Sequence, residues 1–267
     1  MQQAILTANH LVKTYTQRSG KFGFNTTQVT ALNDVSVALN AGTTLAVVGE
    51  SGSGKSTLAR CLLQLQPIDS GEVLFAGRNL ANLKGQALRE VRKDLQMVFQ
   101  DPFASLNPRM RVGAIVGEGL LIHGLGDAAA QQQQVISMLK RVGLSEADMQ
   151  KYPHEFSGGQ RQRIGIARAL VLKPKVVVCD EPVSALDVSI QAQILLLLKE
   201  LQQEMALSYI FISHDLRVVR HIADDIVVMY QGQIVERGAI ASIYDNPQHT
   251  YTQKLLAAIP GKAAKVA

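Results

Sequence analysis

Three short stretches of this chain hold residue types that could act on a phosphate group. Residues 49–56 place three glycines before a lysine and a serine, and residues 156–160 place a serine and two glycines before a glutamine. The third stretch ends an apolar run with Asp180 and Glu181. Glycines let successive backbone N–H groups turn toward an anion, and paired carboxylates suit a metal ion and a water. Together they indicate a protein that binds and hydrolyses a polyphosphate.

The first stretch has the surroundings that a phosphate-binding loop requires. Residues 44–48 form a short apolar strand, and the spacing becomes helical over residues 55–65. A strand, a glycine loop and a helix in succession suit a polyphosphate, because the helix adds the positive end of its dipole. Lys55 would reach the β- and γ-phosphates, and Ser56 would ligate Mg²⁺. The loop residues predicted to bind ATP are Gly49, Glu50, Ser51, Gly52, Ser53, Gly54, Lys55, Ser56 and Thr57.

The paired carboxylates follow a predicted strand at residues 175–179. Asp180 is placed to help hold Mg²⁺, and Glu181 could polarise the water that attacks the phosphate in line. An Asp-Glu pair after a strand otherwise only turns the chain. The phosphate loop favours the catalytic interpretation.

Three further residues lie in or just after other predicted strands. His214 follows the strand at 208–213 and precedes Asp215, which could cap the next helix; a γ-phosphate contact is favoured over a surface role. Gln100, at the end of a strand at 95–99, could bind Mg²⁺ or the attacking water, or simply begin a loop. Tyr15 could stack on adenine, although an exposed strand tyrosine needs no such explanation.

The order of elements predicts an α/β fold. Residues 4–39 suggest two strands joined by a surface loop at 18–25, with another strand at 72–75. A later strand at 175–179, a helix at 189–205 and a strand at 208–213 alternate, which implies a largely parallel sheet covered on both faces. Residues 101–172 contain no convincing strand and are predicted to be an inserted helical subdomain. The chain is thus expected to be a single domain over 1–267, with a core at 4–100 and 173–240 and a C-terminal helical extension at 241–267.

Composition limits the classes of function. The chain has 267 residues, 47% of them hydrophobic and 18% charged, and a net charge of +5 without a run of five or more like charges. A nucleic-acid arm, a signal peptide and a membrane span are therefore not expected. Cys61 and Cys179 lie far apart in apolar segments, so they are predicted to be reduced core residues and not a disulfide or a zinc site.

The sequence plainly resembles the ATP-binding subunits of ABC transporters, which belong to the P-loop NTPase fold, from residue 12 to residue 260. The resemblance names Tyr15 as the A-loop aromatic and residues 49–56 as the Walker A loop. In the same way Gln100 becomes the Q-loop glutamine, Asp180 and Glu181 become Walker B, and His214 becomes the switch histidine. Asp187 ends the D-loop at residues 184–187. An N-terminal antiparallel β subdomain is expected as well.

The resemblance gives residues 156–160 a role as the family's signature motif, with Phe156 where Leu is usual. In the family this motif contacts the γ-phosphate held by the opposite subunit, which closes two nucleotides inside a head-to-tail dimer. A helix beginning near residue 159 would make such an anion site possible. The signature residues are Ser157, Gly158, Gly159 and Gln160.

Residues 99–109, 152–156, 246–252 and 255–260 look like the oligopeptide, dipeptide and nickel importer ATPases. Membership would imply two permease subunits, a second and non-identical ATPase, an external solute-binding protein acting indirectly, and no nucleic acid. It would place the chain on the cytoplasmic face of a bacterial inner membrane. Many members carry a C-terminal cysteine cluster that is missing here, so a short form without an iron–sulfur centre is expected.

Several alternatives stay open at this level. The same ATPase could serve an exporter, a soluble ABC protein acting on nucleic acid or ribosomes, or a partner that binds nucleotide without hydrolysing it. The cargo and the choice between a homodimer and a heterodimer are not encoded in these motifs. Residues 101–116 would form part of the permease docking surface, yet the apolar residues Phe103, Leu106 and Met110 could equally be core.

Overall fold

A computed structural model describes residues 4–19 and 25–259. The chain divides into two compact units, Met1–Leu83 with Ile210–Ala267, and Lys84–Tyr209. No helix within the described residues combines the length and the apolar character needed to cross a bilayer. The subdomain limits predicted from the sequence stay predictions, and residues 260–267 of the expected C-terminal extension lie outside the described residues.

The described chain contains ten strands and ten α-helices. The strands are β1 (Ala4–Ser19), β2 (Asn25–Asn40), β3 (Thr44–Val48), β4 (Ser70–Phe75), β5 (Arg78–Asn79), β6 (Leu95–Val98), β7 (Val176–Asp180), β8 (Ser208–Ser213), β9 (Asp225–Tyr230) and β10 (Gln233–Ala239). The α-helices are α1 (Lys55–Leu62), α2 (Gly85–Asp94), α3 (Pro102–Ser105), α4 (Val112–His123), α5 (Ala128–Arg141), α6 (Gly158–Leu170), α7 (Val188–Met205), α8 (Leu216–Ile222), α9 (Ile240–Asp245) and α10 (Thr250–Ala257).

The first unit holds an antiparallel sheet in the order β2-β1-β4-β5. The predicted loop at 18–25 is shorter than expected, because the β1–β2 register continues to the pair Ser19 and Asn25. Residues 20–24 of that loop lie outside the described residues. The expected N-terminal antiparallel region is therefore present, with Tyr15 of β1 opposite Val29 of β2.

A second sheet in the same unit has the order β10-β9-β3-β8. Strands β3 and β8 have the predicted bounds, and all residues of both are buried. Strand β9 pairs parallel with β3 and antiparallel with β10. Residues 225–239 lie in the core region predicted at 173–240, but the sequence predicted no individual strand there, because a short apolar run alone does not separate a strand from a buried helix segment.

The helix after the phosphate loop, α1, ends at Leu62 and not at residue 65. Gln64 adopts a φ of 50°, in the left-handed region, and Pro67 follows shortly afterwards. A left-handed residue ends the helical repeat, and the residue before a proline avoids helical angles. The apolar spacing continues beyond the helix because Leu63 is still buried in the core.

In the second unit β6 pairs parallel with β7, and α4, α5 and α6 pack on one another. Every residue of β7 is buried, as a strand covered on both faces requires. Residues 101–172 form helices without a strand.

Cys61 of α1 and Cys179 of β7 are both fully buried free thiols, which confirms the prediction that they are core residues. Burial raises the pKa of Cys61 to about 11, so this thiol stays protonated at neutral pH.

Candidate functional site

The phosphate loop in the first unit contains two glycines that no other residue could replace unless neighbouring backbone atoms moved. A Cβ on Gly49 (φ 150°) would lie 2.2 Å from the carbonyl oxygen of Met229. A Cβ on Gly54 (φ 104°) would lie 2.4 Å from the carbonyl oxygen of Ala31. Because both obstacles are backbone atoms, the loop is packed tightly against neighbouring chain. Gly54 is also the N-cap of α1, so the helix begins directly at Lys55.

Lys55 points its ammonium group back into this loop. Its Nζ donates to the carbonyl oxygens of Gly49 at 2.8 Å and Glu50 at 2.7 Å, and the residue is only 5% exposed. Ser56 and Thr57 follow in the first turn of α1 and are partly buried. A buried cation beside the amino end of a helix creates positive potential that favours a phosphate group.

Two further predicted residues of the first unit lie on or after strands. Tyr15 is partly buried on β1, and the Nζ of Lys13 lies 5.8 Å from its ring centroid. His214 is exposed directly after β8. Asp215 caps α8 as the sequence predicted, since its carboxylate accepts from the N–H of Arg217 at 2.9 Å. The adenine and γ-phosphate roles of Tyr15 and His214 stay predictions.

In the second unit, two residues predicted from separate strands are brought together. The Nε2 of Gln100, just after β6, donates to Oε2 of Glu181, just after β7, at 3.0 Å. Asp180 ends β7 and is 5% exposed. Glu181 has a φ of 47°, a left-handed conformation that side-chain-bearing residues rarely adopt. The parallel pairing of β6 and β7 places both strand ends at one edge of the sheet, which explains the contact.

The signature residues start α6, one residue earlier than expected. Ser157 is its N-cap, and Ser157 and Gln160 form a reciprocal capping box. The N–H of Ser157 donates to Oε1 of Gln160 at 3.0 Å, and the N–H of Gln160 donates to Oγ of Ser157 at 3.3 Å. Phe156 is 5% exposed, so the aromatic residue at the usual Leu position is part of the core.

A Cβ on Gly159 would lie 2.6 Å from Cγ2 of Ile190 on α7, whereas one on Gly158 would make an ordinary contact of 3.6 Å with Leu186. The second glycine of the signature therefore allows α7 to approach closely.

Asp187 of the D-loop is exposed and is the N-cap of α7. The neighbouring Gln191 was not predicted, yet its Nε2 donates to the carbonyl oxygens of Val183 and Leu186, each at 3.0 Å. These two bonds hold the turn that carries Asp187. A glutamine one turn into a helix gives no sequence pattern by which to find such a contact.

The apolar residues of the predicted docking segment, residues 101–116, were expected to be either core or docking surface, and the structure gives different answers for different residues. Leu106 is 2% exposed and is core, whereas Phe103 is 62% exposed. The Phe103 ring lies 3.9 Å from the guanidinium carbon of Arg161 on α6, a cation–π arrangement. Met110 is intermediate.

Comparison with known proteins assigns the class. A family model described as ABC transporter matches residues 32–184. The chain therefore belongs to the ABC transporter family, as the sequence resemblance indicated.

Among curated relatives, the oligopeptide transport ATP-binding protein AppF of Bacillus subtilis is 50% identical over 97% of this chain and 79% of its own length. The di/tripeptide transport ATP-binding protein DppF of Pseudomonas aeruginosa is 51% identical over 97% of this chain and 80% of its own length. The glutathione import ATP-binding protein GsiA of Salmonella paratyphi A is 51% identical, but this chain spans only 41% of its length.

A solved structure shares the fold. The ATP-binding cassette MJ0796, in a dimeric post-hydrolysis state bound to ADP and Pi, superposes with a TM-score of 0.77 at 28% identity, covering 88% of this chain and 98% of its own. The predicted α/β fold of an ABC ATPase, with a mostly parallel core, is thereby confirmed.

Proposed function

We propose that the chain is the ATP-hydrolysing, energy-coupling subunit of a bacterial ABC importer for peptides or related small solutes. The observation that carries the hydrolytic part is the hydrogen bond between Gln100 and Glu181. It fixes the orientation of a carboxylate that follows a buried strand, as a base acting on a water requires. The similarity to AppF, DppF and GsiA, all ATP-binding proteins of peptide or glutathione transport, supports the importer part.

The phosphate loop would bind the polyphosphate of ATP. Lys55 would exchange its bonds to the loop carbonyls of Gly49 and Glu50 for the β- and γ-phosphate oxygens. Tyr15 would stack on adenine, and His214 would contact the γ-phosphate. Both residues are proposed on the family resemblance and on their positions on or directly after strands.

The proposed Mg²⁺ ligands all offer oxygen atoms, the ligand type that this ion prefers. They are the hydroxyl of Ser56, the amide oxygen of Gln100 and the carboxylate of Asp180. The donation from Nε2 of Gln100 to Glu181 fits this assignment, because it leaves the carbonyl oxygen as the ligand atom of that amide. When bound, the ion would neutralise charge on the phosphate oxygens.

Glu181 would accept the proton of the attacking water, and Gln100 would orient the carboxylate that does so. Ser157, with the N–H groups of Gly158 and Gly159 at the start of α6, would bind the γ-phosphate held by an opposite subunit. Asp187 of the D-loop would lie in the same dimer interface. Closure of the dimer on ATP and its reopening after hydrolysis would shift the conformation of a permease.

The proposed partners are two transmembrane permease subunits and a second, related ATPase, with an external solute-binding protein acting indirectly. The proposed location is peripheral, on the cytoplasmic face of the inner membrane. The exposed ring of Phe103 fits a docking role toward the permease, whereas buried Leu106 does not.

The catalytic proposal is tested with Glu181→Gln. Removal of a general base typically lowers turnover by about 10²- to 10⁴-fold, so phosphate release should fall that far while ATP-dependent dimerisation persists. Phosphate release and light scattering after size exclusion measure the two properties. Glu200→Gln, the same change on an exposed position of α7, should alter neither. Normal hydrolysis by Glu181→Gln would remove Glu181 from the mechanism.

The partner proposal is tested with the same variant. A tagged Glu181→Gln protein is extracted from native membranes with ATP, and mass spectrometry identifies what accompanies it. Two multi-span permeases and a second ATPase are expected. Recovery of nucleic acid or ribosomes alone would contradict the importer function.

A further inference from the structure

The segment at residues 246–252 resembles importer ATPases in sequence but has no role in the chemistry above. In the first unit it leads into α10, where Tyr251 is 8% exposed. The Tyr251 hydroxyl accepts a hydrogen bond from the backbone N–H of Glu50, the second residue of the phosphate loop, at 2.9 Å. The two residues are 201 positions apart, so tertiary folding alone creates this contact.

The ring of Tyr251 is held by the β9–β10 hairpin. Its centroid lies 4.3 Å from that of Tyr230, the last residue of β9, with an angle of 37° between the rings. In the following turn the N–H of Gly232 donates to the carbonyl oxygen of Ser53 at 3.1 Å. One hairpin therefore supports Tyr251 and also binds the phosphate loop directly. Tyr230, Gly232 and Tyr251 together are called the loop brace.

The start of α10 is fixed to the same hairpin. The carboxylate of Glu236 on β10 accepts from the N–H groups of Gln248 at 2.7 Å and His249 at 3.0 Å. Nδ1 of His249 in turn accepts from the N–H of Tyr251 at 3.2 Å. These bonds leave Tyr251 little freedom to move away from Glu50.

Burial raises the pKa of Tyr251, so its hydroxyl remains neutral at physiological pH and accepts through a lone pair. Glu50 itself is exposed. A backbone N–H in an exposed loop ordinarily bonds to water, which leaves the peptide group free to rotate. A bond to a rigid protein acceptor instead fixes the orientation of that peptide group.

We propose that Tyr251 is a positioning residue of the phosphate loop, which sets the backbone at Glu50 before nucleotide arrives. The proposal rests on the proposed function, namely that this loop binds MgATP. A loop that is already ordered loses less conformational entropy on binding, so the brace would raise the affinity for nucleotide without entering the chemical step. Loss of the Tyr251 contact should therefore raise KM and Kd for nucleotide and leave kcat unchanged.

The test compares two tyrosine-to-phenylalanine variants of the full chain. Tyr251→Phe removes the acceptor and keeps the ring. Tyr244→Phe removes another buried hydroxyl of the first unit, one that donates to the carbonyl oxygen of Leu216. Titration with trinitrophenyl-ATP and Mg²⁺ gives Kd, and steady-state hydrolysis gives KM and kcat. Tyr251→Phe should raise Kd and KM about three- to tenfold, the usual effect of one hydrogen bond, with kcat within about twofold.

Tyr244→Phe should lower the melting temperature without changing Kd. An unchanged Kd in Tyr251→Phe, or an equal change in both variants, would overturn the positioning role. Wild-type protein that does not bind trinitrophenyl-ATP would instead overturn the proposed function, so the two failures are distinct. If Tyr251→Phe does not fold, amide exchange of Glu50 in the wild type decides. Slow exchange supports the brace, and exchange at the rate of an unbonded loop amide refutes it.

Discussion

The phosphate loop at residues 49–56 and the signature turn at residues 157–160 are both rich in glycine and both lead into a helix, yet glycine serves a different purpose in each. In the phosphate loop, Gly49 and Gly54 have positive φ angles, and a Cβ on either would meet backbone atoms of other strands or loops. In the signature turn, neither Gly158 nor Gly159 has a positive φ. There the constraint is a side chain, because Ile190 of α7 occupies the space beside Gly159.

The two turns also differ in what holds them. The phosphate loop is bonded to the distant residues Gly232 and Tyr251 in addition to the bonds of its own Lys55, whereas the signature turn is closed by its own Ser157 and Gln160. A turn built from distant contacts depends on the folding of its whole unit. A turn closed by its own residues needs only the helix that it starts.

Gly54→Ala should give the largest effect. The added Cβ combines a strained φ with a backbone clash, so the free energy of unfolding should fall by about 2–5 kcal/mol, and nucleotide binding should be lost. Gly52→Ala is the matched control, because its φ is also positive (81°) but a Cβ there has no atom within 4 Å. It should cost about 1–2 kcal/mol. If denaturant titrations show that both variants lose the same unfolding free energy, close packing around Gly54 does not constrain the phosphate loop.

Gly159→Ala should give the next effect. Ile190 must move, and overpacking of this kind costs about 1–3 kcal/mol of unfolding free energy. Gly158→Ala should be nearly neutral, because the neighbouring Leu186 is at an ordinary contact distance. Adding Ile190→Ala to Gly159→Ala should recover part of the loss in a double-mutant cycle. Independent, additive effects would mean that the two residues do not compete for the same space.

Gln160→Ala should have a smaller effect. It removes the side-chain half of the capping box, which is typically worth about 0.5–1 kcal/mol of unfolding free energy. Gln193→Ala at an exposed position of α7 is the control and should change stability by less. If both glutamines behave alike, the signature turn is not held by its own cap.

The stability of the contacts that hold α10 beside the phosphate loop should fall at acid pH, because Glu236 makes them through its carboxylate. Burial alone would raise the pKa of Glu236, but hydrogen bonds from the N–H groups of Gln248 and His249 lower it overall. A carboxyl with a lowered pKa stabilises the fold above its unfolded pKa and loses that contribution as pH falls through the folded pKa.

The difference in unfolding free energy between wild type and Glu236→Gln should therefore be about 1 kcal/mol at pH 7 and should shrink below about pH 4. Denaturant titrations across this range measure it. A difference that does not change with pH would show that the charge of Glu236 is not what holds α10.

The sequence alone predicted the features that depend on residues close together in the chain, such as strand bounds, a glycine loop and a helix cap. The strands at 44–48 and 208–213 have their predicted bounds because buried parallel strands are short apolar runs, and the loop after Val48 has its glycines at fixed spacing. Asp215 as a helix cap is equally local. Such features depend on propensity and hydrogen bonds over a few residues.

Contacts between distant segments could not be predicted. Gln100 and Glu181 are 81 positions apart, and their bond follows only once β6 and β7 are known to be neighbours. Phe103 and Leu106 could not be assigned to core or surface, since α3 has only four residues and no periodicity to measure. Tyr251 was named as part of a family pattern but not as a neighbour of Glu50, because no local pattern encodes a contact with a loop near the other end of the chain.

At Glu181 the left-handed backbone favours glycine for stability, whereas the proposed activity requires a carboxylate. A side chain in this conformation costs about 1–2 kcal/mol relative to glycine. Glu181→Gly would thus relieve backbone strain and remove the proposed base at the same time, and glutamate and glycine codons differ by a single base. We expect this single change to give a more stable but inactive protein, with thermal unfolding above the wild-type temperature. Unfolding at or below the wild-type temperature would mean that loss of the hydrogen bond from Gln100 outweighs the relieved strain. Selection for transport, and not for durability, would then be what keeps a glutamate at this position.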